Sequence, residues 1–183
     1  MLTRWGMAIT IREMNRKADR RGVEALDTSF TTTSIYVVVV GPRRLDLVER
    51  PLPSPRVKRY PIADAFAPWC SWDTAFVAES DGTIVGFAAV EYEAWHARLV
   101  LWHVYVATAQ RRTGVGRALL ERCEEHGRSR GARRIWLETT NVNVPGIAAY
   151  ERLGYAICGL DHTVYDTLPY ADETAIYLAK SLG

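Results

Sequence analysis

Apolar residues alternate with polar ones along much of this chain, which is the pattern of half-buried β-strands. A strongly apolar run over residues 98–106 also predicts a strand, long enough to cross a whole sheet. Similar runs predict strands over residues 8–13, 34–40, 45–49, 75–79, 83–92, 134–138, 155–160 and 174–179. Apolar residues at helical spacing predict helices over residues 18–26, 114–130 and 145–153. We therefore expect a mixed sheet with two late helices.

Turn residues indicate how some of these strands connect. Asp81-Gly82 predicts a tight hairpin between residues 75–79 and 83–92, because this dipeptide tolerates positive φ angles. Gly41-Pro42 predicts another hairpin, between residues 34–40 and 45–49. Residues 51–68 contain five prolines, so we expect an irregular segment that covers or lines a cleft.

Composition narrows the class of protein. A chain of 183 residues is expected to form a single domain over residues 1–183, and a net charge of +2 argues against a nucleic-acid partner. Cys70, Cys123 and Cys158 lack the spacing of a disulfide framework or a zinc site, so we expect no metal and a reducing compartment. Without a membrane-length apolar run or a signal-peptide pattern, the prediction is a cytoplasmic protein with no membrane partner.

A glycine-spaced loop, R-R-T-G-V-G at residues 111–116, joins the strand over residues 98–106 to the following helix. Backbone N–H groups and the positive helix end at such a turn attract anions. The Lys-Ser/Thr of a nucleoside triphosphate loop is absent, and so is the dinucleotide pattern G-x-G-x-x-G. The remaining pattern, R-x-x-G-x-G, predicts a pyrophosphate loop, with an ordinary strand-to-helix turn as the alternative.

A second motif lies in residues 134–155, where Asn143, Gly146, Tyr150, Gly154 and Tyr155 fit N-x-x-small-x-x-x-Y-x-x-x-G-aromatic. The two motifs in this order resemble the GCN5-related N-acetyltransferases (GNAT). The resemblance implies the α/β (α+β) GNAT fold, a mixed, mostly antiparallel sheet with splayed central strands and flanking helices. It also implies an N-acetyltransferase that uses acetyl-CoA and releases CoA.

The GNAT resemblance also implies cofactor contacts. The backbone of Val104 and Val106 would bond the pantetheine arm, with the Val106 N–H aimed at the thioester oxygen, and Asn143 would bond the same arm. Tyr150 corresponds to the tyrosine near the sulfur and would protonate the thiolate, unless it only packs on the sheet. The pyrophosphate would lie on Arg111, Arg112, Thr113, Gly114, Val115, Gly116 and Arg117.

Alternation along residues 98–106 puts Leu101, His103 and Tyr105 on one face of the predicted strand. Trp102, Val104 and Val106 then lie on the other face. With an ordinary pKa near 6.5, His103 is a candidate base for the acceptor amine, although a lone strand histidine is often only half-buried structure. The alternative bases are carboxylates on neighbouring strands, at Glu138 and at Glu91 or Glu93.

Beyond the general family, the chain resembles the streptothricin (nourseothricin) acetyltransferases, which acetylate an amino group on the β-lysine part of the antibiotic. The resemblance lies in E-A-L-D-T-S-F-T-T from residue 24, G-F-A-A-V-E-Y from 86, G-V-G-R-A-L-L from 114, W-L-E-T-T-N-V-N-V-P from 136 and C-G-L-D-H-T-V-Y-D from 158. Where those enzymes carry an E-D-I-E-like run, this chain has W-H-V-Y at residues 102–105. Trp102 and Tyr105 are therefore expected to form a substrate wall, with Glu91 as a further substrate contact.

These observations predict acetylation of a primary amine on a small molecule, with a streptothricin-type antibiotic as the named candidate. Two alternatives stay open: acetylation of a protein N-terminus or lysine, and a non-catalytic module that only binds acyl-CoA. A homodimer is also an open alternative, with no sequence feature that establishes it.

Overall fold

The computed structural model describes residues 2–4 and 7–183, and side chains from residue 9 onward. The chain divides into two units. The first unit comprises Met1–Thr28, Arg59–Trp136 and Ser181–Gly183, and the second comprises Ser29–Lys58 and Leu137–Lys180. In the described residues, no helix is both long and apolar enough to cross a membrane.

The strands of the first unit are β1 (Leu2–Arg4), β2 (Met7–Glu13), β5 (Thr74–Ser80), β6 (Thr83–Glu93), β7 (Arg98–Val106) and the start of β8 (Arg134–Thr140). They lie in the order β1-β2-β5-β6-β7-β8, and the pairs from β1 to β7 are antiparallel. Asp81 and Gly82 have φ angles of 47° and 74°, which confirms the predicted tight turn between β5 and β6. The helices are α1 (Arg20–Glu24) and α2 (Val115–Ser129), with 3-10 turns at Ile62–Phe66, Ala94–His96 and Thr108–Gln110.

A β-bulge interrupts the pairing of β6 with β7. Ala89 pairs with His103 but the next residue, Val90, pairs with Leu101, so Trp102 is an extra residue without a directly opposite partner. The alternation of side chains between the two faces of the sheet therefore shifts by one residue of β7 at Trp102. A Cβ placed on Gly127 would lie 3.0 Å from Leu99, and one on Gly116 would lie 3.6 Å from Val106. An odd-numbered and an even-numbered residue of β7 thus both face α2.

Helix α2 covers this face of the sheet. A Cβ at Gly86 would lie 2.9 Å from Leu119 Cδ1 and 3.2 Å from Val115 Cγ1, so the close approach of α2 to β6 requires glycine there. The opposite face of the sheet carries a second core cluster that is closed by α1 and the turn at Ile62–Phe66. Its buried residues are Val23, Leu26, Ala65, Cys70, Trp72, Ala75, Val77, Phe87 and Ala89.

In the second unit, β8 lies beside β10 (Ala175–Ser181), which pairs antiparallel with β9 (Ala156–Asp161). Helix α3 (Val144–Arg152) follows β8 and ends before Gly154, whose φ of 88° favours glycine. A separate two-stranded sheet contains β3 (Ser29–Gly41) and β4 (Arg44–Arg59).

The prediction that residues 51–68 are irregular is wrong for their first half, because β4 continues to Arg59. Pro51, Pro53 and Pro55 occupy alternate, exposed positions of this strand. Alternate residues direct their backbone nitrogen to the same side of a strand, so the three missing N–H groups fall on one edge. A strand in a two-stranded sheet has one unpaired edge that accommodates them.

Candidate active site

The glycine loop leads into the open N-terminus of α2. Arg112 and Gly114 have positive φ angles, of 63° and 100°, which turn the chain sharply into the helix. The first helical hydrogen bond runs from the Ala118 N–H to the Gly114 carbonyl over 3.0 Å, so the N–H groups of residues 115–117 point out of the helix end. Within the described residues, no side chain caps this end and no acidic residue lies in its first turn. The geometry suits a pyrophosphate.

Arg111, predicted together with Arg112 near the pyrophosphate, contacts two backbone carbonyls. Its Nε donates to the Val106 carbonyl over 3.0 Å, and its Nη2 donates to the Asp27 carbonyl over 3.2 Å. The guanidinium therefore ties the loop to the end of β7 rather than extending to an anion. Exposed Arg112 and Arg117 are left as the positive side chains of the loop, while the Thr113 hydroxyl donates to the Gln110 carbonyl over 2.7 Å.

The pairing of β7 with β6 fixes the direction of the backbone N–H groups of β7. Ala107 donates its N–H to the Val85 carbonyl over 2.9 Å, which makes these two residues a hydrogen-bonded pair of the antiparallel ladder. Because such pairs alternate, the N–H groups of Val104 and Val106 point away from β6. Arg111 reaches the Val106 carbonyl on that same side.

The bulge brings Trp102, His103 and Tyr105 onto one face of β7, which we call the acceptor face. Strict alternation is therefore wrong for Leu101 and Trp102, because the extra residue exchanges their faces. Trp102 Nε1 donates to Glu91 Oε2 over 2.9 Å, and His103 Nδ1 lies 3.3 Å from Tyr105 Oη. The acceptor face thus carries an aromatic wall formed by Trp102, His103 and Tyr105, and the Glu91 carboxylate is hydrogen-bonded to the indole of this wall.

Neighbouring side chains enclose most of the imidazole of His103. Cys70 Sγ lies 3.2 Å from its Nε2, and the Phe87 ring stacks on the imidazole with centroids 6.4 Å apart. Burial lowers the pKa of His103 to about 4, and burial raises the pKa of the Cys70 thiol. The neutral imidazole has one donor and one acceptor nitrogen, and Cys70 and Tyr105 match them. This environment argues against His103 as the base.

The predicted carboxylates have different surroundings. Glu93 forms an ion pair with Arg98, at 2.9 Å, so its charge is already balanced, and its Oε2 also lies 3.1 Å from Nε2 of His96. Glu91 is half-buried and has the Trp102 indole as its partner. In the second unit, Glu138 is exposed and accepts a 2.6 Å hydrogen bond from the Tyr165 hydroxyl.

Asn143 acts as the N-cap of α3, a role that the sequence analysis did not give it. Its Oδ1 accepts the Gly146 N–H over 3.1 Å, and its Nδ2 donates to Thr139 Oγ1 over 2.9 Å. Tyr150 lies in the same helix, half-buried, with its ring 5.6 Å from that of Tyr155. The side chain of Asn143 is therefore occupied in holding the start of the helix.

Two contributors to the acceptor face were missed by sequence reasoning. Cys70 reaches His103 from 33 positions away, and the Tyr60 ring lies 6.4 Å from the Tyr105 ring. Both residues come from the segment between β4 and β5, where no periodic pattern or spaced motif marks them. The prediction that the proline-rich segment lines a cleft was the only sequence signal for this region.

The fold and the glycine loop define the class: the chain belongs to the acetyltransferase (GNAT) family, whose model matches residues 45–155. It is 39% identical over 171 residues to streptothricin acetyltransferase from Streptomyces lavendulae, covering 90% of each chain. The crystal structure of nourseothricin acetyltransferase matches with a TM-score of 0.86 and 37% identity, over 96% of this chain and 99% of that one. A Bacillus anthracis structure solved with acetyl coenzyme A has the same fold, with a TM-score of 0.79 and 24% sequence identity. The match covers 96% of this chain and 99% of that one.

These matches confirm the predicted GNAT fold, a mixed and mostly antiparallel sheet with a few helices. They also confirm the enzyme class, an N-acetyltransferase with acetyl-CoA as the donor. The described residues contain no cluster of three or more His, Cys, Asp or Glu side chains arranged to hold a metal ion.

Proposed function

We propose that this protein transfers the acetyl group of acetyl-CoA to a primary amine of a streptothricin-type antibiotic. The observation that carries the proposal is the 39% identity to a streptothricin acetyltransferase over 90% of both chains. The geometry supports it, because β7 runs directly into the open N-terminus of α2 and carries the aromatic acceptor face along its length.

The loop and β7 would hold the donor. The N–H groups of residues 115–117 would bind the pyrophosphate, with exposed Arg112 adding positive charge. The N–H group of Val104 would bond the pantetheine arm, and that of Val106 would donate to the thioester carbonyl oxygen and polarise it. When bound, acetyl-CoA supplies an acyl group activated as a thioester.

The acceptor side must present a neutral amine. Its nitrogen attacks the carbonyl carbon, so that the C–N bond forms and the C–S bond breaks. The Tyr105 oxygen, held by His103 at 3.3 Å, would accept an N–H of the amine and orient its lone pair while water removes the proton. Glu138 is the alternative proton acceptor, and Glu138→Gln tests it.

The leaving thiolate needs a proton, and we assign this step to the phenol of Tyr150, following the family pattern. A phenol is a suitable general acid for a thiolate. The control is Tyr165→Phe, which removes a hydroxyl bound to Glu138 in the same unit. We expect Tyr150→Phe to lower kcat by about tenfold or more with an unchanged KM for acetyl-CoA, and Tyr165→Phe to have a smaller effect.

The proposal is tested by thiol release from acetyl-CoA with streptothricin, aminoglycosides and peptides with free N-termini as acceptors. Saturable release with streptothricin supports it. Release with peptides alone would favour the protein-acetyltransferase alternative, and acetyl-CoA binding without release would favour the non-catalytic module. A cytoplasmic location and a homodimer stay predictions that this assay does not address.

A further inference from the structure

The carboxylate of Glu91 is half-buried and has no ion-pair partner among the described residues. Its carboxylate accepts the indole N–H of Trp102 over 2.9 Å, which fixes its direction. In the part of the chain that the structure describes, no Lys, Arg or His nitrogen lies within ion-pair distance of it. Several other carboxylates of this unit do have a partner: Asp19 and Glu79 share Arg12, and Glu93 has Arg98. A half-buried carboxylate without such a partner is available to a cation from outside the chain.

The carboxylate also belongs to the acceptor face. Glu91 is on β6 opposite Val100, and its indole partner is the bulge residue beside His103. Burial raises the pKa of the Cys70 thiol, which contacts His103; the charges of Asp64 and Glu91 raise it further, and the charge of Arg16 lowers it. A cation at Glu91 would therefore meet both a carboxylate and the aromatic wall.

The position of Glu91 along the sheet separates it from the reacting end. Val106 pairs with Gly86, and Glu91 lies five residues farther along β6. At about 3.3 Å per residue, this corresponds to about 16 Å between the two Cα positions, and the long Glu91 and Trp102 side chains shorten the distance between functional groups.

We propose that Glu91, held in place by Trp102, binds a second cationic group of the acceptor, remote from the amine that is acetylated. This inference rests on the proposed function and names its substrate class: an elongated amine that carries at least two positive charges. Glu91 is then a specificity-determining residue, and Trp102 is a positioning residue that acts through it.

Steady-state kinetics with streptothricin tests the proposal. Glu91→Gln keeps the shape of the side chain and removes its charge, so we expect the acceptor KM to rise about tenfold or more, with kcat and the acetyl-CoA KM unchanged. Trp102→Phe keeps an aromatic ring but loses the N–H, and a rise of about threefold is expected. Glu93→Gln, a carboxylate two positions along the same strand and already paired with Arg98, is the matched control and is expected to leave the acceptor KM unchanged.

The outcomes separate this inference from the proposed function. Wild-type turnover of streptothricin with Glu91→Gln behaving like Glu93→Gln overturns the role of Glu91 and leaves the function standing. A fall in kcat for Glu91→Gln at unchanged acceptor KM would mean that Glu91 acts on the reacting amine, which also overturns the inference. Wild-type enzyme without turnover of streptothricin overturns the proposed function and this inference together.

Discussion

Sγ of Cys70 lies 3.2 Å from Nε2 of His103. Since Tyr105 Oη lies 3.3 Å from the other ring nitrogen, the half-buried imidazole is contacted at both nitrogens. Its pKa is lowered to about 4 by that burial, so the ring is neutral at pH 7 and has little tendency to take up a proton. We therefore expect His103 to orient Tyr105 rather than to act as the base.

Replacing His103 tests this role. We expect His103→Gln to lower kcat/KM by less than about tenfold, because the amide still offers one donor and one acceptor. The acid limb of the pH–rate profile is expected to stay where it is. A loss above about a hundredfold, restored by added imidazole, would instead establish His103 as the general base.

The same burial makes stability depend on pH. The pKa of His103 is about 4 in the folded chain and near 6.5 when unfolded, so the unfolded state binds more protons between these values. Stability is therefore lost as the pH falls from about 6.5 to about 4, by up to about 3 kcal/mol from this residue. Thermal unfolding between pH 4 and 8 measures it, and His103→Gln is expected to flatten the curve. Parallel curves for the two proteins would contradict the assignment.

Asn143 illustrates a structural role inside a functional motif. Removing its cap of α3 in Asn143→Ala is expected to cost about 1 kcal/mol of stability, whereas Asn143→Ser retains a capping oxygen and most of that stability. Chemical denaturation measures both variants. If the serine variant is stable yet has a raised KM for acetyl-CoA, the side chain also contacts pantetheine; an unchanged KM would restrict Asn143 to the cap.

Arg111 and Arg112 are adjacent in the sequence but have different predicted effects. Arg111 holds the Val106 and Asp27 carbonyls, so Arg111→Ala is expected to lower the unfolding temperature as well as the affinity for acetyl-CoA. Arg112 is exposed, and Arg112→Ala is expected to weaken acetyl-CoA binding in a salt-dependent way with little change in stability. Equal unfolding temperatures for the two variants would contradict the structural role of Arg111.

Periodicity and turn chemistry were sufficient to predict β7, α2 and the hairpin at Asp81-Gly82, because each depends on local residues. The bulge at Trp102 was not predictable in this way. Residues 98–106 are apolar on both faces, so an extra residue leaves no break in the pattern. The prolines of β4 led to the wrong prediction of an irregular segment for a related reason. Whether a strand tolerates proline depends on which of its edges is paired, which the local sequence does not show.

The glycine loop and the Asn143–Tyr155 motif predicted the family, since their residue types and spacing carry that information. The contacts that define the acceptor face could not be predicted from the sequence. Cys70 and His103 are 33 positions apart, and the pairing of Trp102 with Glu91 requires both the bulge and the register of β6. Such contacts depend on tertiary structure rather than on any local pattern.

Acetylation of streptothricin is tested directly by incubating the wild-type protein with acetyl-CoA and streptothricin and examining the antibiotic by mass spectrometry and NMR. Streptothricin is expected to gain one acetyl group on an amino nitrogen, with one thiol released for each acetyl transferred. Streptothricin recovered unchanged, while the protein binds acetyl-CoA or acetylates other amines, would contradict it.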